Sequence, residues 1–509
     1  MFVTKVSSKS VYPVTLLLSL IISVWVIYHN DVINSDGVCY LAAAENYLSS
    51  ESLANLMHTC GQAQWPFYSL LVAQVTKLLH LSPFNSANII NVIFDLISVS
   101  SFLLIAEALG GKRILWLAAI TILCAHDFNS LRNYIIRDHG YWAFYITSIY
   151  LFIRFLKQPS LLRALLWSFC VVLAFMFRLE AIAFLILCPF SVFLIKHYSS
   201  REKIKSFFAL NSLMLIFILG LGCYSVLNTN ASTLHFGRLN EIANASLYTV
   251  QNLVNNFNAT KLQLSQHILS IYARSDAGLI LFLVFIIWYV IAVIKSLGLG
   301  YSLFAIFSTK FHDDMSPVAK FTLSNYIMVN IAVTLIFLFE AHFISKRYLL
   351  GLSFTLMFFV PLGMLALYHL RRDNRHRLLL GVGLLLIVTG AVGGIYSFGY
   401  SKNYIRAAGE WVKSSAQQRI FSNDLVLLYY AKPNDKNIFT DYNGMLNQIS
   451  TRQRINWHDY DFIMLHIDRH ADANTRYLLN SIPYASIKVF KNRRLDKVVI
   501  FQVMQEKKH

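Results

Sequence analysis

Apolar and polar positions along the chain fall into long blocks. A helix that crosses a bilayer needs about 20 mostly apolar residues. Runs of this kind recur at 11–28, 84–109, 114–126, 141–156, 161–177, 180–195, 206–226, 277–296, 321–340, 348–370 and 378–397. The pattern predicts a polytopic α-helical membrane protein with about 11 transmembrane helices, the third and fourth of them short. The stretch 66–81 is apolar but too short to span comfortably, and it carries Lys77 and His80. It reads as an interfacial or re-entrant helix. Beyond residue 397 the long apolar runs stop. Alternating and buried-strand patterns predict strands at 461–467, 486–490 and 497–503. The last two flank a hairpin turn at Asn492-Arg493-Arg494, and helices are expected at 403–416 and 471–481. The expected organisation is a transmembrane module over 1–397 and a small C-terminal α/β domain over 398–509 on the outer face.

Composition agrees with a membrane protein and excludes an ordinary soluble enzyme. Of 509 residues, 56% are hydrophobic and 14% charged, against roughly a quarter charged in soluble domains. The mean hydropathy is +0.52. The formal net charge is +18, which in a soluble chain would raise nucleic acid as a partner. Here the basic residues sit in short loops, where orientation in the bilayer explains them, and no nucleic-acid partner is expected. With the N-terminus in the cytoplasm, the inner segments hold Lys5 and Lys9, Lys112 and Arg113, then Arg154, Lys157 and Arg163. They continue with Lys196, Arg201, Lys203 and Lys205, then Lys295, Lys310 and Lys320, and end with Arg371, Arg372, Arg375 and Arg377. The first outer loop, 29–65, has no Lys or Arg. The alternation favours an odd number of spans and an outer C-terminus.

Cys124, Cys170, Cys188 and Cys223 lie in or near spans, as small apolar residues do. Cys39 and Cys60 share the first outer loop, on an oxidising side, and read either as a disulfide pinning that loop or as two free thiols. The Asn-rich outer loop 227–275 holds sequons at Asn230, Asn244 and Asn258, which matter only if it faces a secretory lumen. The C-terminal domain shows no Gly-rich phosphate loop and no metal-ligand spacing, so it reads as a structural or acceptor-positioning domain.

Polar residues concentrate at outer span ends. Asp36 and Tyr40 follow the first span, and an acid there reads as a helix cap or as a chemical group. Trp65 and Tyr68 open the interfacial stretch, where aromatics are commonly anchors. Arg137-Asp138-His139 precedes the fourth span, with Arg137–Asp138 neutralisation as the plain alternative. Arg178 and Glu180 lie in a turn so short that both sit near bilayer depth, where charges are paired or functional. His342, Lys346, Arg347 and Tyr348 lie between the ninth and tenth spans. Asp95 is in the middle of the second span, near Asn88 and Asn91, and reads as functional or as part of a polar seam.

Outer carboxylates beside outer guanidinium and ammonium groups suit glycosyl transfer from a polyprenyl phosphate. The cations stabilise charge developing on the departing phosphate. A carboxylate takes the proton of an acceptor hydroxyl. No nucleotide site is needed and none is visible.

In order along the chain, Ser35-Asp36-Gly37-Val38-Cys39-Tyr40-Leu41-Ala42, Trp65-Pro66-Phe67-Tyr68-Ser69-Leu70-Leu71, Arg137-Asp138-His139-Gly140-Tyr141-Trp142, Arg178-Leu179-Glu180 and Lys346-Arg347-Tyr348-Leu349-Leu350 resemble the integral-membrane glycosyltransferases of the GT-C class. Bacterial relatives of protein mannosyltransferases and lipid A aminoarabinose transferases are the nearest look-alikes. The resemblance covers about 1–400. It implies an inverting enzyme that takes a sugar from a polyprenyl-phosphate carrier, with Asp36 as catalytic base or beside it. It also implies Asp138 as the second acid, with Asp127 a poorer match, and Arg347 with Lys346 on the donor phosphate. Tyr40, Trp65, Tyr68, Arg137, His139, Arg178, Glu180, His342 and Tyr348 complete the expected substrate-binding set. Many members have two adjacent acids in the first loop, whereas Gly37 follows Asp36 here, so neither a metal nor a cofactor is expected.

The expected partners are a polyprenyl-phosphate-linked sugar donor, a lipid, glycan or protein acceptor, and membrane lipids. A polysaccharide polymerase or ligase also uses outer arginines but requires no first-loop acid. A lipid or solute transporter would show inverted repeats and helices broken at the midplane. Terse loops and the polar outer domain point to a multi-pass bacterial inner-membrane protein with its C-terminal domain in the periplasm.

Overall fold

The computed structural model describes residues 8–196, 198–216, 238–310, 315–396, 398–414, 419–432, 438–451, 455–470 and 472–503. Among the described residues the protein is mainly helical with one small sheet. Five described helices are long and apolar enough to cross a membrane: Ser10–Tyr28, Pro83–Gly110, Ile271–Leu297, Pro317–Ala341 and Asn374–Ile395. They coincide with the longest apolar runs of the sequence. A sixth forms if Lys346–Met357 and Val360–Leu370, bent by 45° at a short break, count together. Pro361 opens the second half of that pair. It lacks an N–H and crowds the preceding turn, so an unbroken helix over 348–370 is disfavoured.

Other expected spans are shorter or broken. The run 114–126 yields only Leu115–Leu123, followed by a separate helix His126–Leu131. The run 180–195 becomes a short α-helix, Ile182–Leu187, between 3-10 turns, with Pro189 at the start of the second turn. The expected span 206–226 meets the end of helix Ser200–Leu210, and its second half, with Cys223 and the sequon Asn230, lies outside the described residues. Within the Asn-rich stretch 227–275 the structure has a 30-residue helix, Arg238–His267, which carries Asn244 and Asn258. Phe257 and Leu264, seven residues apart and so on one face, pack against a buried cluster around Phe285 and Leu338. That stripe was diluted by asparagines. Helix Leu299–Phe307 was also unexpected.

The chain divides into two compact units. The first comprises 1–26, 91–132 and 137–396. Helices Asp138–Lys157 and Leu161–Phe177 pack together there. Gly140 makes this approach feasible, since a Cβ on it would lie 2.5 Å from the Phe177 ring.

The second unit comprises 27–90, 133–136 and 397–509. Its sheet has the order β1-β2-β4-β3, with β1 Ile420–Ser422, β2 Phe462–Ile467, β3 Ser486–Lys491 and β4 Lys497–Gln502. β1 runs parallel to β2, with Ile420 opposite Phe462, and the other pairings are antiparallel. The three expected strands and the hairpin after Lys491 are present. The three-residue β1 is too short to show a period in sequence. One face of the sheet buries Phe421, Ile463, Leu465, Val499 and Phe501 with Trp457 and Leu478. In the same unit helix Ser35–Ser50 packs on Phe67–Leu79, the expected 66–81 helix. Cys39 and Cys60 form a disulfide with a Cα–Cα distance of 6.0 Å. The Tyr430 hydroxyl accepts the Ile33 N–H at 3.0 Å, and Asp31 Oδ2 accepts the Lys402 N–H at 2.8 Å. The first loop and the C-terminal segment are therefore bonded parts of one body.

Candidate active site

Within the first unit, four of the expected residues, Arg178, Glu180, Asp138 and Tyr348, come together with Tyr141 around one guanidinium. Arg178 ends helix Leu161–Phe177 in extended conformation. Its Nε donates to Glu180 Oε2 at 3.2 Å and its Nη2 to Oε1 at 2.5 Å. Its Nη1 donates to Asp138 Oδ1. Asp138 is the first residue of its helix, where unpaired N–H groups favour a negative charge. The guanidinium lies 4.4 Å from the Tyr348 ring centroid and 5.6 Å from that of Tyr141. Planar Arg groups favour such stacking and forked pairing. Asp138 thus pairs with Arg178, forty residues away, rather than with its neighbour Arg137.

Two more arginines border this group. Arg137 acts electrostatically on Glu180, and its buried Nη1 has no hydrogen-bond partner among the described residues. Arg347 lies 6.0 Å from the Tyr348 ring, which also stacks on Phe337. Lys346 Nζ donates to Ser130 Oγ at 2.7 Å. His342 caps the preceding helix at φ 51° and stacks on Phe285.

His139 is directed into a different network. Its Nδ1 lies 2.8 Å from Asp95 Oδ1, and both groups are fully buried. Arg132 Nη1 donates to Ser19 O, Ser19 Oγ and Ser23 Oγ, and lies 3.9 Å from Asp95 Oδ2. Asp95 thus lies in a buried polar network, and two of its partners, His139 and Arg132, come from distant segments. Sequence reading missed Arg132 as the countercharge.

Within the second unit, Asp36 stands in the first turn of helix Ser35–Ser50, half-buried. Asn34 is the N-cap residue, and its side chain bonds the Ile135 backbone at 2.9 and 3.3 Å instead of capping. Asp36 Oδ1 accepts the Gln62 side-chain N–H at 3.2 Å. Gln62 was not expected. The disulfide brings it there, since it lies two residues beyond Cys60 while Asp36 lies three before Cys39. Tyr40, Trp65 and Tyr68 are buried, with Tyr40 and Tyr68 edge-to-face at 5.0 Å. Glu45, on the same helix, was also missed. Burial pushes its carboxyl up to about 7.

Chemically, the first unit offers a guanidinium fixed by two carboxylates beside aromatic rings, and the second offers a carboxylate held at a helix start. Among the described residues no three His, Cys, Asp or Glu side chains form a group that could hold a metal ion.

The chain matches no protein-family model, and no curated protein matches its sequence. Solved structures do match. ArnT from Cupriavidus metallidurans in the apo state superposes with a TM-score of 0.54 at 9% identity, over 98% of this chain and 99% of that one. ArnT bound to undecaprenyl phosphate gives 0.53 at 9%, with the same coverage. The Archaeoglobus fulgidus oligosaccharyltransferase tethered with an acceptor peptide gives 0.48 at 12%, over 81% of this chain, which spans only 58% of that protein's length. At 9% identity the ArnT likeness speaks for architecture, and on that ground this chain has the fold of the GT-C glycosyltransferases.

Proposed function

We propose that this protein is an inverting glycosyltransferase that moves a sugar from a polyprenyl-phosphate carrier to a lipid, glycan or protein acceptor on the outer face of a bacterial inner membrane. The observation that carries this reading is a fold shared with ArnT along nearly the whole of both chains, one ArnT structure being bound to undecaprenyl phosphate. The group of Arg178, Asp138, Glu180 and Tyr348, gathered from the span ends, is in keeping with it. In this reading the chain makes eleven passes, with its C-terminal domain in the periplasm.

The acceptor hydroxyl oxygen bonds to the anomeric carbon as the bond from that carbon to the phosphate oxygen breaks. Attack from the far side inverts the centre. Asp36 takes the hydroxyl proton, with Gln62 orienting its carboxylate. Cationic side chains stabilise the charge on the departing phosphate, the role the resemblance gives to Arg347 with Lys346. Asp138 and Glu180 fix Arg178 so that its charge and the Tyr348 ring stay in place. The test is mass spectrometry of lipids that co-purify in mild detergent, comparing wild type with Asp36→Asn. A glycosylated polyprenyl phosphate enriched in the variant supports the reading and identifies the sugar by mass. Another lipid or a solute in both samples, with no polyprenyl species, refutes it and favours a transporter.

A further inference from the structure

The C-terminal segment has a cleft that the transfer chemistry above does not use. Its volume is about 660 Å³, and it is lined by Tyr400, Asn403 and Tyr404 on one side and Phe490, Lys491 and Arg493 on the other. Small-ligand pockets run to roughly 300–1,000 Å³. The hairpin 486–497 that forms one wall carries Lys488, Lys491, Arg493, Arg494 and Lys497 against a single acid, Asp496. Asp496 is already engaged: Oδ2 accepts from the Asn492 side chain at 3.0 Å and Oδ1 from the Arg469 N–H at 2.9 Å. The Asn492 bond holds its carboxyl below the usual range. Lys491 and Arg493 are exposed at the cleft.

The opposite wall is prearranged. Tyr404 is buried, and its hydroxyl lies 2.8 Å from His466 Nε2. His466 Nδ1 lies 2.6 Å from Asp424 Oδ2, and Asp424 Oδ1 accepts the Val426 and Leu427 N–H groups. Burial works against the Asp424 charge, but these bonds outweigh it and its carboxyl sits below the usual range. His466 Nε2, besides the Tyr404 hydroxyl, lies 3.5 Å from Asp468 Oδ1, so the imidazole is held between two carboxylates and that hydroxyl. The Tyr404 hydroxyl is thereby engaged, and Tyr404 contributes to the cleft wall. Tyr400, 57% exposed, has the Arg494 guanidinium 5.8 Å from its ring centroid. Edge-strand lysines alone would serve against aggregation. They do not explain two tyrosines lining one cleft with Lys491 and Arg493.

We propose that this cleft binds an anionic saccharide, with C–H faces of the sugar on the Tyr400 and Tyr404 rings and its phosphate or carboxylate on Lys491 and Arg493. Its rim is bonded to the catalytic loop of the same unit, for Lys402 N–H donates to Asp31. The cleft therefore suits the headgroup of the acceptor. That last identification rests on the transferase reading; binding itself does not.

The test is calorimetric titration of the full chain in detergent with glucose 1-phosphate, glucose, inorganic phosphate and dispersed phosphatidylglycerol. Glucose 1-phosphate is expected to bind at least tenfold more tightly than glucose or inorganic phosphate. The double variant Lys491→Ala/Arg493→Ala, with an unchanged melting temperature, is expected to lose tenfold or more in affinity, and Tyr400→Ala several-fold. Asp36→Asn is expected to bind as wild type does, so failure of the transferase reading leaves this result intact. Equal affinity in the double variant overturns the site. A preference for phosphatidylglycerol or inorganic phosphate over the sugar phosphate overturns the saccharide.

Discussion

Arg178 and Glu180, two residues apart, form a forked pair in which both guanidinium edge nitrogens meet both carboxylate oxygens, at 3.2 and 2.5 Å. The third nitrogen reaches Asp138. Buried charges of this kind are costly to leave half-paired. Arg178→Ala is expected to destabilise the protein by about 3–5 kcal/mol. Arg178→Lys cannot reproduce the fork and is expected to lose activity with a smaller loss of stability. Thermal melting in detergent with a transfer assay separates the two effects. A wild-type melting temperature in Arg178→Ala would show that the pair contributes nothing.

Asp36→Asn keeps the shape of the side chain and removes the base. Turnover is expected to fall by roughly 10²–10⁴-fold, while carrier affinity stays within about threefold. Single-turnover kinetics with lipid-linked sugar check this. Full activity would remove Asp36 from the chemistry and favour a polymerase or ligase.

Arg137→Ala and Arg347→Ala each remove one cation from the arginine group. Loss of a charge-assisted contact costs about 1.5–3 kcal/mol, so carrier affinity is expected to fall about tenfold or more in each. Binding measured with undecaprenyl phosphate alone decides this, and unchanged affinity in both would end the phosphate role.

Reduction of Cys39–Cys60, or Cys60→Ala, opens a loop with a sequence separation of 21. A closure of that length is worth about 3 kcal/mol. The Asp36–Gln62 bond is expected to go with it, so turnover falls together with stability. Gln62→Ala isolates the second effect: turnover should drop and the melting temperature should hold.

Glu45 gives a pH signature. Its carboxyl rises from 4.5 to about 7 through burial, so the folded state binds the proton more tightly than the unfolded chain. Stability is therefore greatest when Glu45 is protonated and declines as pH rises from about 4.5 through 7. The loss is on the order of 1–3 kcal/mol. Glu45→Gln is expected to flatten the melting-temperature profile over that window and to raise it at pH 8. An identical slope in both proteins would assign the pH dependence elsewhere.

Long apolar runs were legible because each is a local property: about 20 apolar residues in a row have few folded states other than a buried or membrane helix. Helices such as Pro83–Gly110 and Asn374–Ile395 therefore appear where their composition demands. The strands β2, β3 and β4 were legible for the same reason, since period two is written residue by residue. The residues gathered at Arg178 were each picked out as polar groups at span ends, where an unexplained charge is conspicuous. Their pairings were not legible. Arg178 chose Asp138, Asp95 drew His139 and Arg132, and Gln62, next to a disulfide, met Asp36. Those choices depend on which helices pack side by side, and distances between them are not functions of sequence separation. The bonding of the first loop to the C-terminal segment, through Ile33–Tyr430 and Lys402–Asp31, joins residues nearly four hundred positions apart. Composition and periodicity decided which elements exist, because those depend on neighbours along the chain. The tertiary structure decided which charges meet, because a buried charge takes whatever partner packing brings within reach.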